Sequence, residues 1–160
     1  MNILDFAINM ELEGEKFYRD QAKSHSGKGI KAVFNMLADD EKMHARILQS
    51  KKDKSEYRFI DSSLSGYGDI FRNEEKFRSE IKEIPDQIDF YRLALEKEKE
   101  SIDLYRRLLS ESEDIDETDL YGYLIEQEEK HYNLIYDLIT LLERTESWVE
   151  SPEFGIREEY

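Results

Sequence analysis

From Ile3 to Ala22 the apolar and small residues Ala7, Met10, Gly14, Phe17 and Tyr18 recur at three- and four-residue spacing, with charge on the other positions. That period predicts an amphipathic helix. After the polar break Ser24–Gly29 it resumes at Ile30, Val33, Phe34, Leu37, Ala38, Ala45 and Leu48, and runs to Lys51 and Lys52. Two cations there suit the negative end of a helix dipole and mark the end of a second helix. Residues 53–85 lose the period at Ser62, Ser63, Ser65, Gly66 and Gly68, after which Asn73 is placed to cap a short helix through Ile81. Pro85 suits the first turn of a third helix, whose apolar stripe is Ile88, Tyr91, Ala94, Leu95, Ile102, Tyr105 and Leu108. An acidic turn over Glu111–Asp116 leads to a fourth helix built on Leu120, Leu124, Ile125, Leu134, Ile135, Leu138 and Leu141.

Connection lengths set the topology. The first and second helices, and the third and fourth, are joined by short turns and are expected to be antiparallel neighbours. The middle connection has more than thirty residues, enough to return along a helix of roughly 24 residues and about 36 Å, so the second and third helices can run parallel. The expected fold is therefore all-α, a ferritin-like four-helix bundle with one long crossover, made of two helix pairs related by a pseudo-two-fold axis. Residues 1–144 form the bundle in this reading. Residues 145–160, with Pro152 and Gly155 as breakers, form an irregular tail.

Composition narrows the partners. A chain of 160 residues is long enough for one domain with a real core. Its 38 acidic against 23 basic residues, a net charge of −15, argue against a nucleic-acid partner. The chain has no cysteine, which removes thiol chemistry, iron–sulfur clusters and thiolate zinc sites. The N-terminal stretch lacks a positive flank and carries Asp5, so no secretory signal is expected. The apolar run Leu134–Leu142 is broken by Asp137 and is too short to span a bilayer. A cytoplasmic protein with no membrane partner is the expectation.

Within the helices a second regularity appears. Ala7, Glu11, Gly14, Phe17 and Tyr18, followed by Glu41 and His44, reappear 87 positions later as Ala94, Glu98, Ser101, Leu104 and Tyr105, followed by Glu128 and His131. Residues three apart on a helix share a face, so each Glu-x-x-His pair points into one space. Glu11 and Glu98 lie amid apolar stripes, where an unpaired carboxylate is costly to bury and a cation offsets the cost. Four carboxylates balance two divalent ions, and two neutral imidazoles add nitrogen donors. That donor set suits iron, with manganese as the alternative.

The expected arrangement makes Glu11 with His44, and Glu98 with His131, the terminal ligands of two metals bridged by Glu41 and Glu128. Tyr18 and Tyr105 lie two turns beyond Glu11 and Glu98 on the same face. Each phenol is placed either to hydrogen-bond a ligand carboxylate of the other half, a role close to the reacting centre, or to serve as an ordinary core aromatic. Gly14 and Ser101 are small, leaving space or allowing close helix approach. His25, in the turn among Ser24, Ser26 and Gly27, is expected to be a solvated surface histidine.

In the segments AINMELEGEKFY, LADDEKMHARIL, ALEKEKESIDLY and LIEQEEKHYNLI the chain resembles the rubrerythrin-like branch of the ferritin-like superfamily. The resemblance covers about residues 3–142. It implies that Glu11, Glu41, His44, Glu98, Glu128 and His131 are iron ligands. Rubrerythrins proper also carry a rubredoxin segment with paired Cys-x-x-Cys motifs, absent here, so an external electron-donor protein such as a rubredoxin is implied. They carry a further glutamate where this chain has Ser101, which implies a six-ligand, nearly symmetric site.

The expected function is a di-iron oxidoreductase, with two iron ions per chain, that reduces hydrogen peroxide or dioxygen, working as a homodimer. Two rivals keep the same ligands: a ferroxidase centre feeding a storage cage, and a metal-stabilised structural module without turnover.

Overall fold

The computed structural model describes residues 2–25, 27–62 and 88–150, the side chains of 144–150 excepted. The described residues contain four helices: α1 (Ile3–Ser24), α2 (Lys28–Lys52), α3 (Ile88–Glu111) and α4 (Ile115–Glu150). The short helix expected after Asn73, the role of Pro85 and the stretch 151–160 lie outside them.

Local chemistry accounts for the helix ends. The Asn2 side chain accepts from the backbone N–H of Leu4 at 2.7 Å and of Asp5 at 3.1 Å, satisfying two donors that the first turn of α1 leaves free. The Asp114 side chain satisfies one such donor of α4, taking the Glu117 N–H at 2.8 Å. At the end of α2 the chain turns through Lys54, whose φ of 59° is left-handed, while Ser55 N–H returns to the Ser50 carbonyl. The last turn of α2 carries Lys51 and Lys52, and Lys52 pairs with Asp5 at the start of α1.

Two apolar clusters fix the topology. One joins Tyr18 and Ala22 of α1, Ile30 to Ala38 of α2, Tyr91 and Ala94 of α3, and Leu134 to Leu142 of α4. The other joins Ala7 and Ile8, Ile47 and Leu48, Tyr105 and Leu108, and Leu120 to Leu124. Hence α1 and α4 begin at the end of the bundle where α2 and α3 finish. Within each sequential pair the helices are antiparallel, and α2 runs parallel to α3. This is the single-crossover bundle, with a polar layer held at mid-height between two dry ends. Fully buried Leu37, Leu48, Leu124 and Leu134 each contribute roughly 1.5–3 kcal/mol to closing it.

In two places the structure departs from the sequence reading. The fourth helix continues to Glu150, so residues 145–150 are helical rather than part of an irregular tail. No breaker stands before Pro152, so hydrogen bonding propagates past the last core residue. His25 is buried, not solvated: it is 2 % exposed, with Nδ1 2.6 Å from the Gln21 carbonyl and Nε2 2.8 Å from the Tyr91 hydroxyl. The tight α1–α2 turn tucks the ring against Phe34 and Tyr91. Burial holds its pKa below that of a free imidazole.

Candidate metal centre

The mid-height layer is built from one glutamate on each of α1 and α3 and a Glu-x-x-His turn on each of α2 and α4. Glu11, Glu41, His44, Glu98, Glu128 and His131 are all buried. They form two overlapping groups, Glu11, Glu41, His44 and Glu128, and Glu41, Glu98, Glu128 and His131, each with one donor atom per residue within 4.8 Å of the others. Glu41 and Glu128 belong to both. All six residues singled out in the sequence are thus brought into one space.

The halves match closely. His44 Nδ1 lies 2.9 Å from Glu128 Oε1 and 3.4 Å from Glu11 Oε2. His131 Nδ1 lies 2.8 Å from Glu41 Oε1 and 3.4 Å from Glu98 Oε1. The imidazoles stack with centroids 5.9 Å apart. Tyr18 donates to Glu98 Oε1 at 2.5 Å and Tyr105 to Glu11 Oε1 at 2.6 Å, so each phenol crosses from its own half to a glutamate of the other. These bonds select one rotamer for each of two buried carboxylates.

Electrostatically the cluster is frustrated by itself. Burial and the neighbouring carboxylates push the Glu41 and Glu98 carboxyls well above the usual range. Burial would also raise Glu128, but the adjoining Glu98 carboxyl and the two imidazoles outweigh it and hold that carboxyl well below the range. For His44 burial lowers the pKa, yet Glu11 and Glu128 carry it up to about 10, and His131 is raised for the same reason. Burial next to Glu98 and Glu11 drives the Tyr18 and Tyr105 phenols upward, so they remain hydrogen-bond donors.

One oxygen each of Glu11, Glu41, Glu98 and Glu128, and Nδ1 of His131, are buried without a hydrogen-bond partner. Orphaned buried acceptors are expensive unless something else satisfies them. Converging oxygens of four carboxylates with two imidazole nitrogens fit a pair of hard or borderline divalent cations.

Gly14 explains how Glu41 reaches the centre. A Cβ on this residue would lie 2.9 Å from Glu41 Oε2, so the carboxylate occupies the space that the missing side chain leaves. The small residue noted in the sequence therefore makes room for a glutamate of the cluster. Gly14→Ala is expected to weaken divalent-metal binding about tenfold, the lower end for changes that displace a ligand indirectly. Because alanine favours a helix by about 0.8–1 kcal/mol, the metal-free variant should be no less stable than wild type. Metal titration beside thermal melts checks both.

Several residues at the site were not singled out in the sequence. Asp40, 2 % exposed, accepts from His131 Nε2 at 2.9 Å and from the hydroxyl of Ser62, which the start of the crossover brings in. The Tyr123 and His44 rings meet at nearly a right angle with centroids 6.1 Å apart; Tyr123 also donates to the Ile60 carbonyl and stacks with Phe59. Buried Gln127 stands 87 positions after Asp40. The repeat offset, extended to the residue before each Glu-x-x-His, would have picked out Asp40 and Gln127. Nothing local marks Ser62.

Comparison with curated proteins and with solved structures gave no match. A family model described as Rubrerythrin matches residues 2–139, which take in α1 to α3, α4 as far as Ile139, and all six clustered donors. Among the described residues no helix is long and apolar enough to cross a membrane. With most of its length covered by that model, the single-crossover bundle and its mid-height carboxylate–imidazole layer, the chain belongs to the rubrerythrin family.

Proposed function

We propose that the chain is a di-iron oxidoreductase that reduces hydrogen peroxide or dioxygen with electrons from a separate donor protein. The observation that carries this is the pair of four-residue groups sharing Glu41 and Glu128. In this reading Glu11 and His44 would hold one iron and Glu98 and His131 the other, with Glu41 and Glu128 contributing to both. The bound irons would supply the two electrons that cleave an O–O bond.

The chain's own part is positional and electrostatic. Buried walls exclude bulk water from the reacting centre. Tyr18 and Tyr105 lock Glu98 and Glu11 into fixed rotamers, leaving one oxygen of each facing the cluster. Their phenolic protons stay in place because both phenols resist ionisation. The sequence has no cysteine to hold a rubredoxin-type iron, and in this reading a separate protein supplies the reducing equivalents.

Mixing the anaerobic, ferrous-loaded protein with peroxide is expected to oxidise both irons far faster than free ferrous ion under the same conditions. Repeated turnover should then follow when a rubredoxin and its reductase are supplied. A rate equal to the protein-free control would reject the enzyme reading. Oxidation without re-reduction, in a large hollow assembly by native mass, would instead favour iron storage.

A further inference from the structure

The ligand set is symmetric, but what stands behind it is not. His131 turns Nδ1 to the carboxylate cluster and donates Nε2–H to Asp40 at 2.9 Å, and Asp40 is in turn held by the Ser62 hydroxyl. His44 also turns Nδ1 to the cluster, yet its Nε2 is buried without a hydrogen-bond partner. The residue related to Asp40 by the repeat is Gln127, 1 % exposed, whose Oε1 likewise has no partner. Where one histidine is backed by a carboxylate, the other half of the repeat offers a neutral amide that makes no such bond.

Resting on the dimetal reading above, we propose that the two metal positions are inequivalent and that the position served by His131 fills first. A carboxylate accepting from the far nitrogen of a ligating imidazole fixes its tautomer, so that the lone pair sits on the metal-facing nitrogen. It also fixes the ring plane and makes that lone pair a stronger donor. Such partners are worth about 10–100-fold in metal affinity. Behind the cluster His44 meets the Tyr123 ring at nearly a right angle, with no hydrogen-bond acceptor on Nε2. The other donors are matched: each metal position draws on one glutamate held by a cross-half tyrosine and on the same two shared glutamates. Asp40 therefore acts as a positioning residue, and Ser62 ties its orientation to the crossover.

The protein has three histidines, so their ring signals can be followed individually by NMR as the metal-free full chain is titrated with Zn²⁺. At one equivalent the His131 signals should have moved to their bound positions with His44 at least tenfold less occupied. The second equivalent should then move His44. In Asp40→Asn the preference should fall by about 10–100-fold, so that both histidines shift together, while the overall two-ion stoichiometry persists. Ser62→Ala, which leaves the charge in place, should shift the preference in the same direction by less, and it serves if the Asp40 variant does not fold. Equal filling in wild type, His44 filling first, or a preference unchanged in the folded variants would each overturn the proposal. A wild-type protein in which neither histidine moves at two equivalents would instead overturn the dimetal reading itself, and this inference with it.

Discussion

Chelating the metal from loaded protein is expected to lower its melting temperature by roughly 10–20 °C. Each ion present at about a hundred times its Kd stabilises the folded state by about 2.7 kcal/mol. For a chain of this size 1 kcal/mol corresponds to about 2–4 °C. The size of this effect depends on pH in a direction the site dictates. In the metal-free fold Glu41, Glu98, His44 and His131 all bind protons more tightly than they would in the unfolded chain. Where the folded state holds more protons, stability falls as pH rises. That window opens at the ordinary carboxylate range for the two glutamates and extends through about 10 for His44. Glu128 has the opposite sign, contributing stability that is lost only in acid. The metal-free protein should therefore melt lower at pH 9 than at pH 6. Metal binding needs deprotonated ligands and strengthens over the same interval. The gap between loaded and chelated melting curves should widen from pH 6 to pH 9. A gap that narrows would mean the cluster does not hold these protons.

Replacing Glu41 by glutamine should separate metal binding from folding more sharply than any other single change. Glu41 lies in both four-residue groups, so on the proposed dimetal reading its loss would remove a donor from both ions and one of the charges that balance them. Affinity should fall by more than the ~10–100-fold typical of changes behind the ligands, and two-ion stoichiometry should be lost at micromolar metal. Without metal, burial and three neighbouring glutamates already resist ionisation of Glu41, and a neutral amide of the same shape relieves that repulsion. Metal-free Glu41→Gln should therefore be as stable as wild type or more so, by up to about 1–2 kcal/mol at pH 8. An essential packing or hydrogen-bonding role would instead lower its stability. Glu126→Gln, on the exposed face of α4, should change neither quantity.

Four helices were legible because each stripe keeps a three- and four-residue period over many turns, and the turn lengths allowed only a few ways of joining them. The six clustered donors were legible for a different reason. A repeat with constant offset puts like residues at equivalent heights in equivalent helices, so the constellation can be written down without coordinates. The same offset placed Tyr18 and Tyr105. That each crosses to the glutamate of the other half is a matter of helix-to-helix distance, which only packing sets.

The periodic pattern along the chain determined which residues face inward, which pairs of helices are joined tightly, and that acids and imidazoles share the buried face. Tertiary structure alone decided what each inward side chain meets. It buried His25 under α3, gave the space at Gly14 to Glu41, and drew Ser62 and Asp40 in behind His131 while leaving His44 Nε2 without a hydrogen-bond partner. The physical reason is range. Facing is set within a turn or two by backbone geometry, whereas a hydrogen bond between residues as far apart as 40 and 131 forms only once the whole bundle has closed.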